Sequence, residues 1–144
     1  RNAGEADVTG AEATLRVNPT ETVGLYGGVS LNAAQQKRLS RLPRWTATLG
    51  ASWRLCEYVH LDVDAEYVAK MYSYTSRDAA VKDLAEVDAF WTLNARLALD
   101  TRICLLIDGE WYLAAENLCN RKYEYFPGYE MPGVMFYAGM KIRF

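Results

Sequence analysis

Few residues in this sequence could carry chemistry. Its single histidine is His60. Ser52 and Asp62 are the only residues with which it could begin a hydrolytic set. No nucleophile motif stands beside them, and an activated serine needs a base that a third group holds in place. His60 also falls at the end of an alternating run, next to a short turn, where a wetted rim residue is the simpler reading. The sequence therefore points away from an enzyme. The three cysteines, Cys56, Cys104 and Cys119, show no CxxC spacing, so the ligand pattern argues against a zinc site. Cys56 and Cys104 both fall at expected short turns and could approach each other; free thiols are the favoured state. No cofactor is implied. The 16 Lys and Arg nearly balance the 18 Asp and Glu, so the basic footprint of a nucleic-acid partner is missing.

The remaining charged residues are arranged by period. Helical periodicity is nearly absent and period-two alternation is nearly everywhere, which predicts seven strands, roughly over 6–17, 22–32, 44–55, 59–73, 86–100, 103–116 and 133–144. In the third run Trp45, Ala47, Leu49, Ala51, Trp53 and Leu55 point one way, and Arg44, Thr46, Thr48, Gly50, Ser52 and Arg54 the other. In the fourth, Leu61, Val63, Ala65, Tyr67, Ala69 and Met71 oppose His60, Asp62, Asp64, Glu66 and Lys70. The fifth sets Val87, Ala89, Trp91, Leu93, Ala95, Leu97 and Leu99 against Asp88, Thr92, Asn94, Arg96 and Asp100. The sixth sets Ile103, Leu105, Ile107, Trp111 and Leu113 against Asp108, Glu110 and Glu116. Charged residues make up 24% of the chain, yet none interrupts the apolar face within the strand bodies.

The connections alternate in length. Tight turns are expected at 18–21, 56–59 and 100–103, and long loops at 32–43, 74–86 and 117–133. In a meander this places all short turns at one end and all long loops at the other. The fold class expected is all-β: an antiparallel up-and-down transmembrane β-barrel segment of about seven strands. The chain lacks the apolar run of about 18 residues that a transmembrane helix needs. It begins without Met, as a mature chain or a piece of a longer one would.

Alternation alone permits two readings. A small soluble up-and-down barrel would turn its apolar face inward to bind an apolar ligand; a membrane barrel would turn that face to lipid and its polar face to a wet lumen. The expected strands are longer than the usual five or six residues of globular sheets. Trp45, Trp53, Trp91, Trp111, Phe136 and Phe144 lie near strand ends on the apolar face, as interfacial girdles do, with Tyr67 in mid-strand as the exception. Both features favour the membrane reading. Asp62, Asp64, Glu66, Lys70, Arg96, Asp108 and Glu110 are then the candidate lumen-facing residues, and outer-membrane lipid meets the other side.

The last strand alternates Val134, Phe136, Ala138, Met140, Ile142 and Phe144 and stops on the aromatic ring. This resembles the C-terminal signal that the barrel-assembly machinery recognises in bacterial outer-membrane proteins. Phe136, Ala138, Met140, Ile142 and Phe144 are its candidate residues. The stretch 116–144 further resembles the C-terminal end of TonB-dependent outer-membrane receptors. Glu116, Asn117 and Leu118 supply that family's Glu-Asn-Leu triplet, Asn120, Arg121 and Lys122 its polar run, and Tyr123 its tyrosine. Pro127, Gly128, Pro132 and Gly133 shape the loop before the last strand, while Cys119 stands where an aromatic residue is commoner. Gly10, Glu12, Pro19 and Pro43 fit earlier family positions. The resemblance implies a receptor that imports a scarce ligand, a metal chelate or vitamin, with energy delivered through TonB. It implies a barrel of about twenty-two strands around a plug, of which residues 1–144 would be a C-terminal part, with the plug and the earlier strands elsewhere.

Overall fold

The computed structural model describes residues 7–34, 41–75, 84–104 and 107–143. Among them are eleven strands and no helix: β1 (Val8–Val17), β2 (Val23–Ala34), β3 (Trp45–Arg54), β4 (Val59–Val68), β5 (Met71–Tyr74), β6 (Leu84–Val87), β7 (Phe90–Cys104), β8 (Ile107–Glu116), β9 (Glu124–Phe126), β10 (Tyr129–Glu130) and β11 (Met135–Arg143). Seven of them form one antiparallel sheet in the order β1-β2-β3-β4-β7-β8-β11. Each neighbour is the next long strand in the chain, so the sheet is a meander. β1 and β11 are its two edges.

Apart from one shift between Arg102 and Cys104, the register carries the alternation across the sheet without a slip. Val17, Leu25, Ala51, Val63, Ala95, Ala115 and Phe136 form one row through all seven strands. Val23, Trp53, Leu61, Leu97, Leu113 and Ala138 form a second. A one-residue shift in any strand would put a polar residue into these rows, which is why a one-sided apolar pattern specifies register strongly. Leu49, on an inner strand, is 68% exposed and Leu113 is 62% exposed. A soluble barrel with an apolar interior would bury these side chains. That alternative is therefore set aside: the sheet is open-edged and its apolar face points outward.

The buried apolar residues are instead concentrated at the long-loop end. Val68, Ala69, Met71, Val87 and Phe90 are all buried. Here two expected strands break. The fourth was expected to continue to residue 73, but β4 stops at Val68. The chain then leaves the sheet as β5, which pairs with β6 as a separate ribbon, Met71 opposite Val87. Ala69, Met71 and Val87 therefore do not extend the outward face; all three are buried, Met71 and Val87 as a cross-strand pair within the ribbon itself. The fifth strand correspondingly starts at Phe90. At the other end, residues 100–103 are strand and not a tight turn. Thr101 pairs with Gly109 and Arg102 with Asp108, and after a register shift Cys104 pairs with Ile107. The β-branched Thr101 and Ile103 suit an extended backbone. Part of the expected loop at 117–133 is also ordered, as the β9–β10 hairpin with Gly128 at φ 80° in its turn. Leu105 and Phe144 lie outside the described residues.

The shortened β4 removes an anomaly. Tyr67 is the penultimate residue of the strand and not its middle, and its ring stacks on Trp45 with centroids 4.5 Å apart. Trp45, Tyr67, Trp91 and Phe136 thus mark the long-loop end of the outward face. Trp53 and Trp111 lie toward the short-turn end.

Candidate functional site

The opposite face of the sheet gathers the polar residues. On it stand Asp62, Asp64 and Glu66 from β4, Asn94 and Arg96 from β7, and Glu110 from β8, because each is offset by one residue from an apolar row. Arg96 is directly across from Asp62, at 3.9 Å, and also bonds Glu110. Its guanidinium lies 4.7 Å from the ring centroid of Tyr112. These groups are partly exposed, so the pairs position the Arg more than they stabilise the sheet; such ion pairs contribute about 0–1 kcal/mol each. Asp64 accepts a 2.8 Å hydrogen bond from Asn94 Nδ2. Asp108 stands near the short-turn end, in register with Arg102 and Arg143. Lys70 does not join this face. It lies beyond the end of β4 and reaches Glu86 at 2.8 Å and Asp88 at 3.4 Å, beside the ribbon. The hydrogen bond and charge of Glu86, with those of Asp88, raise the Lys70 ammonium above its ordinary pKa.

His60 is taken by neither of its expected partners. Its Nε2 lies 2.9 Å from Asp100 Oδ2 across β4 and β7, whereas Ser52 stands opposite Asp62. Cys56 and Cys119 are free and exposed.

Two aromatic-over-glycine pairs were not legible in the sequence. Tyr26 faces Gly50 across β2–β3, and Tyr112 faces Gly139 across β8–β11. A Cβ on either glycine would stand inside the tyrosine ring. Each ring has an arginine over it, Arg16 at 5.9 Å and Arg96 at 4.7 Å. Alternation identifies these tyrosines as polar-face residues, but only the register shows that a glycine lies under each ring. Gly50→Val should displace the Tyr26 ring and cost about 1–3 kcal/mol, the scale of overpacking. Denaturant unfolding of the intact receptor in detergent measures this. Adding Tyr26→Ala should return much of the loss, and a Gly50→Val receptor as stable as the parent would show that the ring does not cover the glycine.

The Glu-Asn-Leu triplet acquires a structural role. Asn117, 2% exposed, adopts φ 51° just after β8. Its Nδ2 donates to the carbonyls of Arg121 (2.9 Å) and Pro132 (3.2 Å), and its Oδ1 accepts from the Arg121 N–H at 2.8 Å. Its own N–H donates to Asn94 Oδ1 at 3.1 Å. A chain of hydrogen bonds thus runs from Asp64 through Asn94 and Asn117 to the loop preceding β11. At the same end Phe90 stacks on Tyr123 at 4.3 Å and meets Tyr125 edge-on at 5.1 Å. Burial, then the carboxylates of Glu116 and Glu66, hold the Tyr123 phenol above its ordinary pKa; burial and Glu66 do the same for Tyr125.

Long antiparallel strands, an exposed apolar face opposite a polar one, girdling aromatics, and long loops at one end only define a section of outer-membrane β-barrel wall. The family model described as "TonB dependent receptor-like, beta-barrel" matches residues 1–118, and the chain belongs to that family. It is a protein of the bacterial outer membrane; the family is one of transport receptors, not of enzymes, and its members have a plug domain. The match ends at Leu118, so the likeness over the final loop and β11 rests on the residues quoted above. Among solved structures, the open form of the ferric-catecholate import receptor Fiu from Escherichia coli K12 aligns with a TM-score of 0.67 and 22% identity, covering 97% of this chain and 21% of that one. The ferripyoverdine receptor of Pseudomonas aeruginosa aligns at 0.66 and 12%, covering 96% and 20%. Identities this low establish the fold. The chain spans about a fifth of the length of these receptors.

Proposed function

We propose that this chain is the C-terminal wall of a receptor that imports a scarce ligand, a metal chelate or a vitamin, across the outer membrane with energy delivered through TonB. The observation that carries this is the unbroken segregation of the two faces across seven registered strands. Backbone groups in hydrocarbon must all be paired, so the edges of β1 and β11 pair with further strands of the intact barrel. The apolar rows meet lipid. Asp62, Asp64, Glu66, Arg96, Asp108 and Glu110 face the lumen and border the plug, with Lys70 on the outer rim. In this reading the one histidine, His60, is a rim residue paired with Asp100. In a strain lacking the intact receptor, uptake should fall for one member of a panel of labelled ferric chelates and cobalamin. Restoring the receptor should restore uptake only when TonB is present. Uptake unchanged across the whole panel, or restored equally without TonB, would refute the transport reading.

β11 also serves as the assembly signal, presenting Phe136, Ala138, Met140 and Ile142 in alternation up to Phe144. One ring contributes about 1.5–3 kcal/mol even when fully buried, which a receptor with many paired strands tolerates once assembled. Deleting Phe144 from the intact receptor should therefore lower its level in the outer membrane sharply, yet leave refolding in detergent nearly normal. Phe144→Trp or Phe144→Tyr should restore much of the level. Normal membrane levels after deletion would refute a role for Phe144 in the assembly signal.

A further inference from the structure

The outer end of the polar wall holds a cavity of about 180 Å³ between β3, β4, β5 and β9. This is smaller than the roughly 300–1,000 Å³ of a drug-sized pocket, so it fits one chemical group and not a whole chelate. Two side chains of opposite charge line it, Arg41 and Glu66. Thr46 adds a hydroxyl, and Val68, Met71 and Tyr125 give an apolar side.

Neither charge is satisfied by the other. Among the described residues Glu66 has no hydrogen bond and no ion pair. Burial, and for Tyr123 the Glu116 carboxylate, raise the Tyr123 and Tyr125 phenols, and the charge of Glu66 adds to both. Arg41 likewise has no ion pair there. Its backbone is fixed in the left-handed region at φ 61°, with its N–H donating to the Tyr72 carbonyl at 2.6 Å. Its guanidinium lies 5.7 Å from the Phe126 ring centroid. A left-handed conformation in a residue that is not glycine persists only where its surroundings hold it, and such positions cluster at binding sites. The cavity thus holds a cation and a carboxylate that do not pair with each other, each without a counter-ion among the described residues, together with apolar lining.

We propose that this cavity binds the head of an α-amino acid, with its ammonium on Glu66 and its carboxylate on Arg41, and that the apolar side accepts the adjoining side chain. The proposal rests on the transport reading, since it places the recognised group at the outer end of the lumen wall. It gives the imported ligand a zwitterionic amino-acid moiety. Charge-assisted hydrogen bonds to both ends would make the cavity reject molecules with either charge blocked.

The test is binding to the purified intact receptor in detergent, read by saturation-transfer NMR. The probes are L-leucine, N-acetyl-L-leucine (no ammonium) and L-leucine methyl ester (no carboxylate). L-leucine should bind about tenfold or more tighter than either blocked form, the scale of one lost charge-assisted contact. Glu66→Gln should abolish the advantage over the N-acetyl form, and Arg41→Gln the advantage over the ester. A fourth probe, Nε-dansyl-L-lysine, separates the sources: binding as tight as that of L-leucine means the head is borne on a larger ligand, and weaker binding means free amino acids. Retained protease resistance of the barrel controls for folding of each variant. Equal binding of the three leucine probes, no binding of L-leucine, or unchanged selectivity in Glu66→Gln overturns the proposal. Leucine binding by a receptor that imports nothing would refute the transport reading alone. Unimpaired import by a receptor that ignores leucine would refute the amino-acid site alone.

Discussion

Leu49→Arg should cost about 2–4 kcal/mol when the intact receptor folds into lipid vesicles, the cost of an arginine near the midplane on the lipid side of a barrel. Leu49 is central in its strand, 68% exposed, and lies in the apolar row Leu15–Gly27–Leu49–Ala65–Leu93. Among the described residues nothing covers it. Ala95→Arg should behave alike, because Ala95 lies in the row that crosses all seven strands. The adjacent change Thr48→Arg should be nearly neutral. Thr48 points to the polar face and stands opposite Glu66, so the new guanidinium meets a carboxylate in place of hydrocarbon. Urea unfolding from vesicles separates these outcomes. Equal losses at positions 48 and 49 would mean that the assignment of the two faces is wrong.

Asn117→Ala should cost about 3 kcal/mol, because it strands several polar groups at once. The Arg121 N–H and the carbonyls of Arg121 and Pro132 lose their partner in a site that is 2% exposed, and each buried group left unpaired costs about 1–3 kcal/mol. The left-handed backbone adds a smaller penalty for alanine. Asn117→Gly isolates the hydrogen bonds, since glycine adopts φ 51° freely but offers no side chain. Asn117→Asp retains the acceptor for Arg121 but loses both donors. Chemical unfolding should rank the variants with alanine least stable, and limited proteolysis should cut first in the loop between β8 and β11. An Asn117→Gly receptor as stable as the parent would show that the side chain does not tie the loop.

Asn117 also marks where sequence reasoning stops. Its place in a Glu-Asn-Leu triplet is visible in the sequence as a family feature, but the triplet does not show what the amide does. Its partners are 4 and 15 residues away along the chain, and Asn94, which receives its N–H, is 23 away. Asp64 is similar. Alternation puts it on the polar face, where it reads as one more solvated charge; the fold makes it the acceptor that anchors Asn94. Arg41 falls within what the sequence presents only as a loop, so its place in one cavity with Glu66 could not be anticipated.

The sequence by itself determined the strand content, the two faces, and the contrast between short turns and long loops. Side-chain direction alternates with every residue of a strand, so each of these is a local property. Strand length and aromatic placement favoured the membrane, but alternation alone left a soluble barrel open; the exposure of Leu49 and Leu113 on the apolar face set that reading aside. Tertiary structure decided where that alternation stops meaning lipid. Ala69, Met71 and Val87 continue the period, yet they are buried, Met71 and Val87 within the β5–β6 ribbon, because the chain leaves the sheet at Val68. It also decided which polar residues meet: His60 with Asp100, Arg96 with both Asp62 and Glu110, Tyr26 over Gly50. Those contacts depend on register between strands 14 to 40 residues apart, which no period within a single strand encodes.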